Sequence, residues 1–196
     1  MTEATNATEA WVLRAIGLSG QAEIAAVARG TGLGTDAALA IVSAAEGSGH
    51  VVSGPRGYRL TPEGRARVAD ALAVERESLD PAVTLDLYER FVRIDRKFKE
   101  LVTEYQLSDS PSKFSWAVAG MSEVHPAVQA LVTPAVELVP RLDPYRDRFD
   151  AAIDHLQRGD EKYLASVLVD SYHTIWFQFH EELIGMAGRT RADEDT

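Results

Sequence analysis

Two histidines and two carboxylates recur at helical spacing in LVDSYHTIWFQFHEELIGM, near the end of the chain. On a helix advancing about 100° per residue, Asp170, His173, Phe177, His180, Glu181 and Ile184 share an arc of about 100°, while Trp176 and Phe179 project elsewhere. Neutral imidazoles beside a carboxylate can hold a divalent metal, and protonated ones can hold an anion. Asp95 and His155, from other helices, would complete such a set. Three uses compete for the arc. His173 and His180 can be polar core residues bonded to neighbouring helices. Asp95, Asp170, His173, Phe177, His180 and Glu181 can line a pocket for a small-molecule effector. His155, Asp170, His173 and His180 can ligate a metal, although two histidines on one face fall short of a coordination sphere. The aromatic series Tyr163, Tyr172, Trp176, Phe177 and Phe179 reads as core and dimer interface before ligand cage.

A second group lies in the first third of the chain. Arg56, Arg59 and Arg65, with Arg67 beyond, surround a Ser-Gly-Pro-Arg-Gly turn and suit contact with a nucleic-acid backbone or minor groove. The segment before them, TDAALAIVSAAEGSG, would read bases through Arg, Lys, Asn or Gln, yet its polar residues are Thr35, Asp36, Ser43 and Glu46. The two acids repel phosphate, so double-stranded DNA would be held with more affinity than specificity. A module kept for dimerisation or protein contact is the alternative.

The elements that carry these residues follow from periodicity and punctuation. Residues 9–18 space Trp11, Val12, Ala15, Ile16 and Leu18 as a first helix, and Ile24, Val27 and Ala28 mark a second that stops at Gly30-Thr31-Gly32. Leu33 seats that turn. Thr35 caps a third helix whose Leu39, Ile41, Val42 and Ala45 turn inward before Gly47 and Gly49. Val51-Val52 and Tyr58-Arg59-Leu60 form a hairpin, and Thr61-Pro62 starts another helix through Arg65, Val68 and Leu72. The stretch GYRLTPEGRARVADAL resembles the wing and following helix of MarR-like winged-helix regulators, in which the pattern Y-x-L-T-x-x-G is common. The resemblance implies a winged helix-turn-helix over about the first 75 residues and a DNA-binding role.

Behind a charged, aperiodic stretch at 75–81, residues 82–106 space Leu87, Phe91, Ile94, Phe98, Leu101, Val102 and Tyr105 as a long amphipathic helix. Its Arg90, Arg93, Arg96, Lys97 and Lys99 read as a solvated face. Residues 107–124 read as irregular. Helices are expected at 126–139, interrupted near Pro134, at 143–157 after Asp143-Pro144, and at 160–186 from an Asp160 cap. The expected architecture is mainly α: a flexible start (1–8), a winged helix-turn-helix with a small β-wing (9–74), a linker (75–81), a helical bundle of about four helices for effector binding and dimerisation (82–188), and a frayed tail (189–196). The helical half loosely resembles FCD-type GntR effector domains, where Asp and His ligands converge on a metal. Its SYHTIWFQFHEELI stretch is similar to uncharacterised actinobacterial regulator-like proteins.

Composition narrows the classes. The 196 residues are 45% hydrophobic and 26% charged, with no cysteine, which excludes thiolate catalysis, disulfides and cysteine metal sites. No apolar run is long enough to span a bilayer, and the polar, acidic start lacks a secretory pattern, so a cytoplasmic location is expected. The net charge of −10 falls almost wholly after residue 74, because six arginines offset seven acids before it. No Ser-His-Asp order, phosphate loop, HExxH or dinucleotide fingerprint occurs, so an ordinary hydrolase, kinase or dehydrogenase is not expected, and beyond the effector or divalent metal considered above no cofactor is expected. These readings combine as a homodimeric, ligand-responsive transcriptional regulator. An enzyme or enzyme accessory using the His/Asp/Glu face, with a winged helix that does not bind DNA, and a protein-interaction adaptor are the rivals.

Overall fold

A computed structural model describes residues 3–189, which are mostly helical with a two-stranded antiparallel sheet among the described residues. The chain divides into two compact units at Leu79 and Asp80. The first unit contains α1 (Glu3–Ser19), α2 (Ile24–Thr31), α3 (Thr35–Gly47), β1 (Val51–Gly54), β2 (Gly57–Leu60) and α4 (Pro62–Glu77). Val12, Leu13, Ile16, Val27, Val42, Val51, Leu60 and Val68 close one core, with Leu33 packed at its edge. α1 begins at Glu3, ahead of the helix expected from residue 9, and residues 1–2 of the start expected to be flexible lie outside the described residues. Alanine and glutamate, which recur over residues 3–10, are good helix formers.

β1 and β2 pair in the register Val51↔Leu60 to Gly54↔Gly57, leaving Pro55 and Arg56 as the two-residue turn. A bridge that sequence patterning does not reveal joins Ala22 to Tyr58, with each backbone N–H donating to the other residue's carbonyl at 2.9 and 2.8 Å. Gly57 makes that approach possible: its φ is +102°, and a Cβ there would overlap the Ala22 carbonyl. At the hairpin base the Thr61 N–H donates to the His50 carbonyl at 3.0 Å, and the Thr61 hydroxyl donates to the Gly49 carbonyl at 2.7 Å. The same hydroxyl oxygen accepts the Gly64 N–H at 3.0 Å and so caps α4. Gly64 is buried, and a Cβ on it would overlap the His50 carbonyl. In α3 the inward positions are Ala38, Val42 and Ala45, whereas Leu39, expected inside, is 42% exposed.

The second unit holds α5 (Pro81–Leu107), α6 (Lys113–Leu138), a 3₁₀ turn (Pro140–Leu142), α7 (Pro144–Gln157), the short α8 (Lys162–Ala165) and α9 (Tyr172–Ala187). α5 packs on α6, α6 on α7, α7 on α9 and α9 on α5, a closed ring of four helices. Phe91, Phe98, Phe149, Tyr172 and Phe179 fill its centre. Three expectations fail here. The linker shrinks to Ser78, Leu79 and Asp80, because α4 continues to Glu77 and the Asp80 carboxylate accepts the Ala82 N–H at 2.8 Å to cap α5. α6 begins at Lys113 and runs unbroken through Pro126 and Pro134. Proline at 134 withdraws the donor that would serve the Ala130 carbonyl, and that carbonyl instead accepts the Arg90 Nη2 at 2.7 Å. The helix expected over 160–186 is α8, a non-helical stretch and α9, whose cap is Ser171, accepting the Thr174 N–H at 3.2 Å, and not Asp160. The tail expected to fray (189–196) lies, beyond Arg189, outside the described residues. No helix among the described residues is long and apolar enough to cross a membrane.

Replacing Gly64 by alanine drives a methyl group into the His50 backbone. Gly64→Ala is expected to lower the stability of the first unit by about 1–3 kcal/mol, measured by urea unfolding, whereas the exposed Gly47→Ala is neutral or slightly stabilising.

Candidate functional site

The helical arc of His173, Phe177, His180, Glu181 and Ile184 exists on α9, but its two histidines are turned into the packing against α5. His180 is 5% exposed and stacks on Phe91 at 4.2 Å between ring centroids, with Tyr88 at 6.3 Å. His173 is half-buried and stacks on Phe98 at 6.0 Å. Burial pushes the His173 pKa below its ordinary 6.5, and nearby Asp95 partly opposes that shift. Asp95 is itself buried. Its carboxylate accepts the Trp176 indole N–H at 2.8 Å and pairs with Lys99 at 2.7 Å. Phe177 is exposed and Glu181 half-buried at the outer edge of the arc.

Asp170 does not belong to the arc, because α9 begins only at Tyr172, after the Ser171 cap. It meets Arg148 of α7 instead, whose Nε and Nη2 donate to its two oxygens at 2.9 and 2.7 Å. The same Nη2 donates to Gln178 of α9 at 2.6 Å. Burial alone would lower the Arg148 pKa, but the two-pronged Asp170 carboxylate outweighs it and holds the guanidinium charged. A second buried pair joins Arg141 of the 3₁₀ turn to Glu182 at 2.9 Å. His155 stands apart, stacked on Tyr163 at 3.8 Å and 2.9 Å from Asp160, whose pKa the imidazole lowers. The four metal candidates His155, Asp170, His173 and His180 therefore do not converge. Among the described residues no group of three or more His, Asp or Glu side chains is arranged to hold a metal.

Sequence patterning also passes over Arg148, Gln178 and a relay centred on His125. Its Nδ1 lies 3.1 Å from the Tyr172 hydroxyl and its Nε2 3.0 Å from Asp150, which also accepts Gln129 Nε2 at 2.6 Å. Tyr172 is completely buried, and burial raises its pKa first, with Asp150 adding to the shift. The relay ties α6, α7 and α9 together.

In the first unit Thr35, Asp36 and Ser43 are exposed on α3, together with Ala37, Leu39, Ala40 and Ala44. Glu46 accepts the Ser53 N–H at 2.9 Å and so fastens α3 to β1. Arg56 is exposed at the hairpin turn, Arg59 on β2 and Arg65 on α4, where one guanidinium N–H donates to the Leu60 carbonyl at 3.1 Å. No family model matches the chain, and neither a curated protein nor a solved structure is similar to it.

Removing Asp170 would strand a buried guanidinium. Asp170→Ala is expected to cost about 3 kcal/mol in chemical denaturation, far above the few tenths typical of surface changes. His173 adds a pH dependence. Its lowered pKa means that the unfolded chain takes up the proton more readily, so this contribution is intact above pH 6.5 and lost as pH falls through the lowered value. Unfolding free energies between pH 7 and 5 should accordingly fall more steeply for the natural chain than for His173→Gln.

Proposed function

We propose that the chain is a DNA-binding transcriptional regulator of the winged helix-turn-helix type, MarR-like in its first unit. In this reading it acts in the cytoplasm as a homodimer, with the helical unit supplying the dimer contact and the response to a small-molecule effector. The observation that carries it is the two-way backbone bridge between Ala22 and Tyr58. That isolated bridge pairs Ala22, just before α2, with β2. Together with α2, α3 and the hairpin, it supplies a helix for the major groove and a hairpin for the neighbouring phosphates.

The division of labour follows from side-chain chemistry. Arg56, Arg59 and Arg65 supply phosphate contacts, while the exposed part of α3 offers hydroxyls and methyl groups in place of bidentate base readers. Affinity would thus come mainly from counterion release, and an effector would act by favouring one spacing of the two α3 helices of a dimer over another. Fluorescence anisotropy at low salt tests the reading, with a duplex from upstream of the gene and an unrelated duplex of equal length. The Arg56→Ala, Arg59→Ala double variant should weaken both and reduce the slope of log affinity against log salt by about 2. Absence of binding to either duplex at low salt overturns it.

One observation favours a second reading, a protein-contact role for the first unit. Leu39 is 42% exposed on α3, flanked by Ala37 and Ala40 and bordered by Asp36 and Glu46. Leu39→Lys separates the two: it strengthens DNA affinity where α3 meets phosphate, and leaves DNA affinity unchanged where α3 faces a protein.

A further inference from the structure

The outer face of α5 carries a charge pattern that the four-helix ring does not use. At steps of four and three residues, Leu85, Glu89, Val92, Arg96, Lys99 and Thr103 form one exposed stripe about 27 Å long. Leu85 and Val92, its two large aliphatic side chains, are 36% and 39% exposed. Glu89, Arg93, Arg96 and Glu100 are exposed as well, and no ion pair or hydrogen bond within the chain engages their side chains among the described residues.

The stripe is ordered by sign, with its acid toward the N-terminal end of α5 and its bases toward the C-terminal end. A parallel second copy in register would set Glu89 against Glu89 and Arg96 against Arg96, a repulsion at both positions. An antiparallel copy, related by a twofold axis between Val92 and Arg93, sets Glu89 of each helix opposite Arg96 of the other, with Val92 against Val92 at the axis. Asp86 and Lys99 repeat the pattern but are already engaged within the helix, by Arg90 at 3.9 Å and Asp95 at 2.7 Å, so the complementarity rests on the two Glu89–Arg96 pairs. α5 is also balanced where the chain is acidic: five bases match five acids along it, whereas the whole chain carries −10. Two copies approaching through this helix meet less of that repulsion.

We propose that α5 pairs antiparallel with α5 of a second copy of the chain, through Leu85, Glu89, Val92, Arg93, Arg96 and Glu100. This contact supplies the dimer of the regulator reading and rests on that reading only for the presence of a second copy. A face about 27 Å long and one helix wide is smaller than the roughly 800 Å² per partner of a standard interface, so the association is reversible and weak.

Sedimentation velocity of the full chain at micromolar to submillimolar concentration should show a monomer–dimer equilibrium. Glu89→Arg and Arg96→Glu should each weaken the dimer about tenfold or more, because like charges then face each other twice. The double variant Glu89→Arg, Arg96→Glu restores opposite signs and should recover most of the affinity, and all three should keep the circular dichroism spectrum of the natural chain. The chain has no cysteine, so single replacements report the register directly. Val92→Cys at the axis should be joined to a second copy by a short bis-maleimide, whereas Leu107→Cys, 77% exposed at the natural residue yet opposite no residue of the other α5, should not. A monomer throughout, single variants that dimerise like the natural chain, no rescue in the double variant, or linkage through Leu107→Cys in place of Val92→Cys would each overturn the contact. Duplex binding by the same samples separates the two readings. A dimer sensitive to Glu89→Arg that binds neither duplex supports the contact and overturns the DNA reading, whereas a DNA-binding dimer indifferent to Glu89→Arg overturns the contact alone.

Discussion

The first unit is closed around the backbone of His50. Its N–H donates to Ala45 in the last turn of α3, its carbonyl accepts from Thr61 at the base of β2, and Gly64 of α4 rests against that same carbonyl. The side chain adds a fourth element, with Nδ1 3.0 Å from Glu9 of α1. One residue thereby fixes the end of one helix, the start of another and the direction in which the hairpin leaves the core. The Ala22 bridge then holds the hairpin's flank. Apart from the His50–Glu9 pair, these contacts are made by backbone at short range, which is why the chain places glycine at 57 and 64 and a threonine, able both to donate and to accept, at 61.

In the helical unit the organising element is α9, located from three sides by polar contacts set within an aromatic core. Arg148 reaches Asp170 and Gln178 from α7, Arg141 reaches Glu182 from the 3₁₀ turn, and Asp95 of α5 accepts from Trp176. Burying these charges is costly, and the cost is offset by the two-pronged Arg148–Asp170 pair and by the two partners, Trp176 and Lys99, that share the Asp95 carboxylate. The same bonds consume the groups that, on a bare helix, look like ligands. Asp170 answers to a guanidinium, and His180 lies face to face with Phe91.

Much of this was legible in the chain because it is local. The end of α2 before Gly32, the Thr61-Pro62 start of α4, the period of α5 and the Asp143-Pro144 start of α7 each depend on residues within a turn of one another. The arc on α9 was legible for the same reason, down to the shared side of His173, His180 and Glu181. Whether that side faced solvent or α5 was not, since burial is decided by Phe98, Phe91 and Tyr88, far earlier in the chain. Pro134 misleads by the same logic: its helix-breaking cost is local, but Arg90, which satisfies the vacated carbonyl, is 40 residues distant. The Ala22 bridge involves one residue and has no period to read.

The hairpin is secured at its base by His50 and Thr61 and along its flank by Ala22, while Pro55 and Arg56 at its turn are exposed. Anchoring and reach are thus carried by different residues. The turn can be lengthened, shortened or exchanged as a cassette without touching the contacts that register the strands, which makes this loop a natural point for grafting a new binding sequence onto the unit.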